Sequence, residues 1–325
     1  IKCLATDISA ANCTTNWVQR VAETGTFVKD VQSSWEIGVN GVPEGWIVEE
    51  VGTIDAVTFT AEEAGSTIGL SKLSSYQTLE YKTASSVWKS MNTSTNITLD
   101  NVGDKVFVRG ILSGDNTGSD YTQFKMTGKI SSSGNCNALW NYSDLTAPLK
   151  VYCGYYMFHG CKSLTQAPEL SVTTLAKSCY SSMFYGCTSL TQAPELPATT
   201  LADYCYSSMF YDCTGLTTAP ELPATTLANR CYSSMFYDCT GLTTAPSILP
   251  ATTLASYCYN SMFSGCKSLT QAPELPATII AERCYDSMFQ GCTSLTTAPS
   301  ILPATALEYC CYQNMFNGCT SLTTA

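Results

Sequence analysis

The sequence predicts an α+β chain in which a β-sandwich-like region precedes a solenoid with coils of 26–27 residues. The first observation is a Met-Phe pair that recurs seven times at steps of 26 or 27 residues, a period typical of stacked-repeat architectures. The pairs begin at Met157, Met183, Met209, Met235, Met262, Met288 and Met315. The second observation is a series of short alternating runs ahead of the repeats, which predicts strands. These runs are Ala56–Thr60, Thr78–Lys82, Asn96–Leu99, Lys105–Arg109 and Gln123–Thr127.

The change of pattern along the chain predicts three segments. Residues 1–52 carry three tryptophans and little helical periodicity, so we expect a β-rich N-terminal segment. Residues 53–132 hold the alternating runs, at a spacing that suggests a small Ig-like β-sandwich. Residues 133–325 form the predicted solenoid, which begins with a partial repeat, Leu139–Lys150, that we expect to cap the first coil.

Charge and composition argue against several classes of function. Sixteen Lys and Arg residues against twenty-six Asp and Glu residues give a net charge of −10, which disfavours nucleic acid and anionic membrane surfaces as partners. No apolar run approaches the roughly 18 residues that a membrane-inserted helix needs. His159 is the only histidine, which argues against a catalytic or metal site built on histidines.

Within one repeat, apolar residues at four-residue steps predict a helix of two to three turns. Leu201, Cys205 and Met209 follow this spacing. The residue before the second repeat cysteine is always Gly or Asp, which fits a left-handed position at the end of a helix. A threonine six residues before the first cysteine is placed to cap the helix start. The Leu-Thr-(Thr or Gln)-Ala-Pro segment that follows predicts a short strand ended by proline, with Leu and Ala facing inward.

The segment Cys179–Leu190 resembles the Ile-Gly-x-x-Ala-Phe-x-x-Cys-x-x-Leu core of BspA-like leucine-rich repeats. Seven copies carry the likeness over residues 149–325, although Cys-Tyr replaces Ile-Gly and each unit is about three residues longer than the common form. The resemblance implies a leucine-rich-repeat solenoid on the cell surface, as in Bacteroidetes surface proteins, with adhesion to host or matrix ligands. Residues 54–130 are similar to the β-modules found ahead of such repeats.

Fourteen of the eighteen cysteines fall in two repeat columns, always eight residues apart. Zinc sites need a tighter cluster of Cys and His. Two cysteines eight apart on a helix lie about 12 Å from each other, beyond the roughly 7 Å reach of a disulfide. Bridges between neighbouring coils are sterically conceivable, but seven cysteines per column would leave one unpaired. We therefore expect buried, reduced thiols, with a Cys3–Cys13 pair as the allowed exception.

The residue after Met-Phe varies along the repeats while the core columns stay constant, which indicates exposure. It is His159, Tyr185, Tyr211, Tyr237, Ser264, Gln290 and Asn317 in turn. The three consecutive tyrosines Tyr185, Tyr211 and Tyr237 are the predicted ligand contact, because exposed tyrosine anchors interfaces at low entropic cost. The alternative is that they only pack against the next coil.

The strand face is a second candidate binding surface. It carries a threonine column followed by Thr or Gln, and the competing interpretation is a solvated ladder of strand-forming residues. A glutamate column lies nearby: Glu169, Glu195, Glu221 and Glu274. These carboxylates repeat regularly without a partner or pocket, so we do not expect acid–base catalysis from them.

Together these patterns and the resemblance to BspA-like repeats predict a non-enzymatic, extracellular or cell-surface module that binds a protein or glycan ligand. The alternative is a structural component of a virion or surface appendage, as a fibre or decoration protein. We predict no catalytic, cofactor or metal site. Because Ala325 comes before the Pro and Leu that would complete the last coil, we expect further chain or a self-associated copy to cover it. The residues to be covered are Leu307, Met315, Phe316 and Leu322.

Overall fold

A computed structural model describes residues 2–3, 26–30, 42–51, 55–84 and 86–323. The chain forms two compact units, residues 1–55 and residues 56–325. The strand-rich segment 56–133, called the β-region below, and the repeats belong to the same, second unit. The finer division at 52/53 and 132/133 stays a prediction.

The first unit contains a parallel three-stranded sheet in the order β1-β2-β3. Its strands are β1 (Lys2–Cys3), β2 (Thr26–Asp30) and β3 (Ile47–Val51). The turn before β3 follows the sequence signal, with Gly45 at a φ of 81° and the Trp46 N–H donating to the Pro43 carbonyl at 3.2 Å. The predicted Cys3–Cys13 pair involves Cys13, which lies outside the described residues.

The second unit begins with eight strands. They are β4 (Val57–Ala61), β5 (Ser66–Lys72), β6 (Gln77–Thr83), β7 (Lys89–Met91), β8 (Asn96–Leu99), β9 (Lys105–Leu112), β10 (Gln123–Thr127) and β11 (Ile130–Ser133). All five predicted runs are confirmed as strands, while β5, β7 and β11 were not predicted. Alternating burial along β4 and β9 places Phe59, Val106 and Val108 in a core shared with Ile68 and Leu70 of β5.

These strands form two sheets, and the larger one continues into the repeats. The three-stranded sheet has the order β10-β5-β8 and is antiparallel throughout. The six-stranded sheet has the order β12-β11-β4-β9-β6-β7, where β12 (Leu164–Gln166) belongs to the first repeat. β12 pairs in parallel with β11, with Ile130 opposite Leu164. The backbone of the first repeat is therefore held by the sheet; the Ig-like sandwich topology stays a prediction.

Phe124 of β10 makes the same contacts to the first repeat that one repeat makes to the next. Its ring stacks on Phe158 with centroids 5.2 Å apart, and its N–H donates to the Met157 carbonyl at 2.8 Å. The Phe184 N–H donates in the same way to the Met209 carbonyl at 2.9 Å. The β-region thus presents a template on which the first repeat is stacked.

The predicted repeat helix is wrong. The residues concerned, 203–212 in the third repeat and their equivalents in the others, form successive tight turns and are called the turn segment below. Every fourth residue is left-handed, as at Tyr204 (φ 62°), Ser208 (φ 54°) and Asp212 (φ 56°), and an α-helix cannot contain such residues. Within the segment, the Met209 N–H donates three residues back to the Tyr206 carbonyl at 3.2 Å. Because the turns repeat every four residues, their apolar spacing imitates a helical period of 3.6.

The remaining amide groups of the turn segment bond to the neighbouring repeat. The N–H groups of Ser208, Phe210 and Asp212 donate to carbonyls one repeat further on, at 2.8, 2.9 and 2.8 Å. In residues 204–213, half of the backbone N–H groups thus bond locally and half bond to the next repeat. The left-handed Gly or Asp before the second cysteine is confirmed, from Gly160 (φ 71°) to Gly318 (φ 80°). It does not end a helix, and the predicted capping by threonine is wrong because no helix begins there.

Aromatic columns fill the core between repeats. Seven phenylalanines stack with centroids 5.5–5.7 Å apart, from Phe158 to Phe316. A second column of fully buried tyrosines runs from Tyr180 to Tyr285 at 5.7–6.0 Å. In the first repeat Gly154 takes the tyrosine position, and the ring of Trp140 lies 5.8 Å from Tyr180 instead.

The predicted repeat strand is reduced beyond the first repeat to single bridges such as Gln192–Thr218 and Thr218–Thr244. Its leucines are buried as predicted except Leu322, which is half-buried, and the alanines predicted to face inward are buried or half-buried. Its Thr and Gln side chains are exposed. Within the described ranges, α1 (Ala138–Asn141) is the one α-helix, so the helical half of the predicted α+β class is not found. No helix of that part of the chain is both long and apolar enough to cross a membrane.

Candidate functional site

The tyrosine stripe, defined here as His159, Tyr185, Tyr211 and Tyr237, lies at the end of the turn segment in four consecutive repeats. Hydrogen bonds between repeats fix its backbone. The Gly186 N–H donates to the Tyr211 carbonyl at 2.7 Å, and the Asp212 N–H donates to the Tyr237 carbonyl at 2.8 Å. All four side chains are half-buried.

The rings of the stripe are stacked face to face. Centroid distances are 4.8 Å from His159 to Tyr185, 4.5 Å from Tyr185 to Tyr211 and 4.6 Å from Tyr211 to Tyr237. The tyrosine rings deviate from parallel by only 4° and 11°. This spacing follows from the backbone ladder, whose natural separation is about 4.7–4.9 Å. Because neighbouring rings cover each other's faces, the stripe offers a ligand ring edges and phenol hydroxyls.

Burial shifts the pKa values of two side chains of the stripe. Burial, and then the neighbouring Tyr185 and Tyr237, raise the pKa of Tyr211 to about 12. Burial lowers the pKa of His159 below its ordinary value of 6.5, so the imidazole is neutral at pH 7. The Gln123 amide nitrogen donates to the main-chain oxygen of His159 at 2.9 Å, which ties the start of the stripe to β10. Tyr211 and His159 are therefore uncharged hydrogen-bonding groups at neutral pH.

A second group of aromatic residues, which sequence reasoning missed, extends the stripe at its N-terminal end. This aromatic patch consists of Tyr121, Tyr152, Tyr155 and Tyr156. Tyr156 meets His159 edge-on at 4.7 Å, and Tyr121 lies 5.4 Å from both Tyr155 and Tyr156. The ammonium nitrogen of Lys72 stands 3.9 Å from the Tyr121 ring centre. The Tyr155-Tyr156 pair three residues before His159 was the available sequence signal.

The stripe ends where the column changes to small polar residues. Ser264 is buried and its hydroxyl donates to the Gln290 carbonyl at 3.2 Å, so it no longer presents a group outward. Gln290 and Asn317 follow without rings. In this column, contact by aromatic edges is thus confined to the first four repeats.

The strand face of the repeats is called the threonine face below; it consists of the threonine column from Thr165 to Thr323 and the Thr or Gln after each member. Its polar groups are used differently from those of the tyrosine stripe. Its hydroxyls donate back to the preceding repeat, as from Thr243 to the Thr217 carbonyl at 3.0 Å and from Thr296 to the Thr270 carbonyl at 3.1 Å. Beside it lies a groove of about 550 Å³, lined by Pro197, Pro220 and Pro223 and by the carboxylates Glu195 and Glu221. Glu274 is engaged by the Ser300 hydroxyl at 2.6 Å. This face is regular, and the hydroxyls of Thr217, Thr243 and Thr296 are used internally.

The repeat cysteines are buried, as predicted, and carry free thiols. Burial raises the pKa of each thiol whose shift is resolved, to about 12 for Cys205 and to about 11 for Cys284. In the described ranges, no group of three or more His, Cys, Asp or Glu side chains is placed to hold a metal ion. Uncharged thiols in the core favour a structural function.

A family model for the BspA-type leucine-rich repeat region, with six copies, matches residues 136–270 and 235–325, together more than half of the chain. The chain belongs to the BspA-type leucine-rich repeat family. A solved leucine-rich repeat protein from Bacteroides ovatus ATCC 8483 is similar to this BspA-type chain, with 23% identity and a TM-score of 0.29. The match covers 51% of this chain and 43% of that protein, less than half of its length. A comparison with curated proteins found no match.

Proposed function

We propose that this BspA-type repeat chain is a non-enzymatic adhesion module of a bacterial surface, which holds a protein or glycan ligand outside the cell. In this proposal the repeats form a leucine-rich-repeat solenoid. The ligand lies along the tyrosine stripe, with Tyr185, Tyr211 and Tyr237 as its main contacts.

One observation carries the proposal: an unbroken series of ring contacts runs from Tyr121 through Tyr156 and His159 to Tyr237. Each ring is held by its neighbours, so little side-chain freedom remains to be lost on binding. Rigid tyrosine edges combine apolar contact area with hydroxyl donors and acceptors, a combination common in binding surfaces. A ligand with repeated polar groups fits a stripe whose hydroxyls recur once per repeat.

The test compares binding by the full 325-residue chain with binding by two triple variants. The probes are an array of defined oligosaccharides and a set of purified extracellular-matrix proteins. The site variant is Tyr185→Ala, Tyr211→Ala and Tyr237→Ala. The matched control is Thr218→Ala, Thr244→Ala and Thr297→Ala, which changes three exposed residues on the threonine face of the repeats.

We expect at least one probe to bind the unaltered chain and the control equally, and to bind the tyrosine variant at least about tenfold more weakly. Circular dichroism and thermal melting establish that both variants are folded. Unchanged affinity of a folded tyrosine variant would exclude the stripe. Loss of affinity in the threonine variant alone would move the site to the threonine face, and absence of binding to every probe would contradict an adhesion function.

A further inference from the structure

A row of alternating arginine and tyrosine side chains crosses five repeats on a column separate from the tyrosine stripe. We define the arginine–tyrosine row as Tyr204, Arg230, Tyr257, Arg283 and Tyr309. The first four directly precede the first repeat cysteine, and Tyr309 lies one residue earlier in its repeat. Each of those four is left-handed, with φ between 50° and 62°. Two of the four arginines of the whole chain are in this row.

Arg230 occupies the middle of an aromatic sandwich. Its guanidinium carbon lies 4.1 Å from the ring centre of Tyr257 and 5.7 Å from that of Tyr204. Contact with tyrosine faces holds the planar guanidinium in a defined orientation and leaves its N–H groups, which project from the edge, free to donate. The rings therefore prepare Arg230 for bonds directed outward.

The two arginines differ in whether their charge is already neutralised. Arg283 pairs with the buried Asp286, with Nη1 and Oδ2 2.9 Å apart. Arg230 has no carboxylate partner anywhere in the described part of the chain, although it is half-buried. A half-buried cation with oriented, unused donors is complementary to an external anion, above all to a carboxylate that can accept two parallel bonds.

We propose that Arg230 binds the carboxylate of an acidic sugar unit in a glycan, flanked by the edges of Tyr204 and Tyr257. Tyr204 is 38% exposed and Tyr309 is 66% exposed, so the row also offers apolar ring surface and phenol hydroxyls to the sugar. This site is separate from the tyrosine stripe and adds a charge requirement that the stripe cannot supply.

Two features of the row favour a sparsely charged glycan over other anions. Amide groups of these repeats are used in the ladder between repeats, as at Tyr204, Arg230 and Tyr257, so an extended peptide finds no free strand edge here. The acidic residues Asp203, Glu282 and Glu308 lie close to the row in sequence, and they disfavour a densely charged polyanion. A glycan with one carboxylate in each repeating sugar unit therefore matches a row in which Arg230 is the one arginine without a described carboxylate partner.

The experiment measures the affinity of the full chain for four probes: sialyllactose, a galacturonic acid tetrasaccharide, neutral lactose and a poly-glutamate peptide. The variants are Arg230→Gln, which removes the charge, and Arg230→Lys, which keeps the charge but not the planar fork. The control, Lys267→Gln, removes one positive charge from an exposed residue elsewhere in the same repeats. Since Arg230 has no described ion-pair partner, all three variants are expected to melt like the unaltered chain.

We expect one or both acidic sugars to bind, lactose to bind at least about tenfold more weakly, and affinity to fall with added salt. Arg230→Gln should weaken acidic-sugar binding at least about tenfold, Arg230→Lys less, and Lys267→Gln not at all. Equal affinity for lactose, full affinity in a folded Arg230→Gln variant, or no binding of either acidic sugar would each overturn the proposal. Tighter binding of poly-glutamate than of both sugars would replace it with an acidic protein partner. The stripe variant Tyr185→Ala, Tyr211→Ala and Tyr237→Ala should keep acidic-sugar binding, so the two sites can fail separately.

Discussion

The thiol of Cys213 donates a hydrogen bond to the main-chain carbonyl oxygen of Phe184, in the preceding repeat, at 3.0 Å. The same bond recurs along the second cysteine column, at 2.9–3.1 Å for five further cysteines. In the first repeat, Cys161 donates to Phe124 of the β-region at 3.4 Å. Cysteine therefore fits this position for two reasons: it is small and apolar enough for the core, and its S–H gives a second hydrogen bond to a buried carbonyl that also accepts a backbone N–H.

Cys213→Ala tests this bond. The substitution removes one of the two donors to the buried Phe184 oxygen, which still accepts from the Cys187 N–H at 3.0 Å, and opens a small cavity. We therefore expect a loss of about 1–2 kcal/mol in unfolding free energy. The matched control is Cys310→Ala, at a partly exposed cysteine with no such bond, where we expect a change within about 0.5 kcal/mol. Urea unfolding followed by tyrosine fluorescence measures both. Equal effects of the two substitutions would show that the thiol bond is not stabilising.

Thiol labelling tests the redox state of the columns. Among the cysteines whose side chains the structure describes, sixteen are free and fifteen of these are buried, the exception being Cys310. A polar alkylating reagent at pH 8 should label Cys310 in the native protein and at least sixteen thiols after denaturation without reductant. Fewer than sixteen thiols in the denatured chain would mean that neighbouring repeats are joined by disulfides.

Stability should fall at alkaline pH. The ordinary thiol pKa is 9.0, whereas burial raises the pKa of Cys205 to about 12 and that of Cys284 to about 11. Above pH 9 the unfolded chain loses these protons while the folded chain keeps them, so the folded state is destabilised as pH rises from about 9 to 12. Below pH 9 both states are protonated, and these groups add no pH dependence. Urea midpoints between pH 7 and pH 11 measure the effect, and a flat profile above pH 9 would contradict it.

Ser208 tests the turn architecture that replaced the predicted helix. Its φ of 54° is costly for a β-branched side chain, so Ser208→Val should destabilise the protein by about 1–2 kcal/mol, and Ser208→Gly should not. Ser256→Val is the control, since Ser256 carries the same side chain at a position without positive φ. In a helix, the valine at position 208 would cost only a few tenths of a kcal/mol. Such a small thermal and urea shift would favour the helical interpretation.

The sequence predicted core positions and backbone conformation correctly where equivalent positions of the repeats could be compared. Constant columns correctly identified Met209, Phe210, Cys213 and Leu216 as core, and the restriction to Gly or Asp correctly identified the left-handed position at 212. The helix prediction was wrong because a four-residue turn period is close to 3.6, and because the left-handed residues Tyr204 and Ser208 are of types that usually avoid positive φ.

Other features depend on contacts that no periodic pattern records. Phe124 is a single residue of an alternating strand, and nothing local indicates that it continues the phenylalanine column. Gly69 interrupts β5, which concealed that strand, because glycine weakens a strand pattern. The tyrosine column at Tyr211 was predicted as a surface, but face-to-face stacking depends on the distance between repeats. Arg230 lies between two tyrosines only because residues 26 and 27 positions apart become neighbours.

The most direct test of the adhesion account is the affinity of the triple variant Tyr185→Phe, Tyr211→Phe and Tyr237→Phe for the probe that the unaltered chain binds best. Phenylalanine keeps the stacked rings, so the melting temperature should stay within about 2 °C, while the hydroxyl edge is lost. If the ligand is held by that edge, its affinity should fall at least about tenfold, since each lost hydrogen bond contributes about 0.5–1.5 kcal/mol. Full affinity in this folded variant would contradict the account.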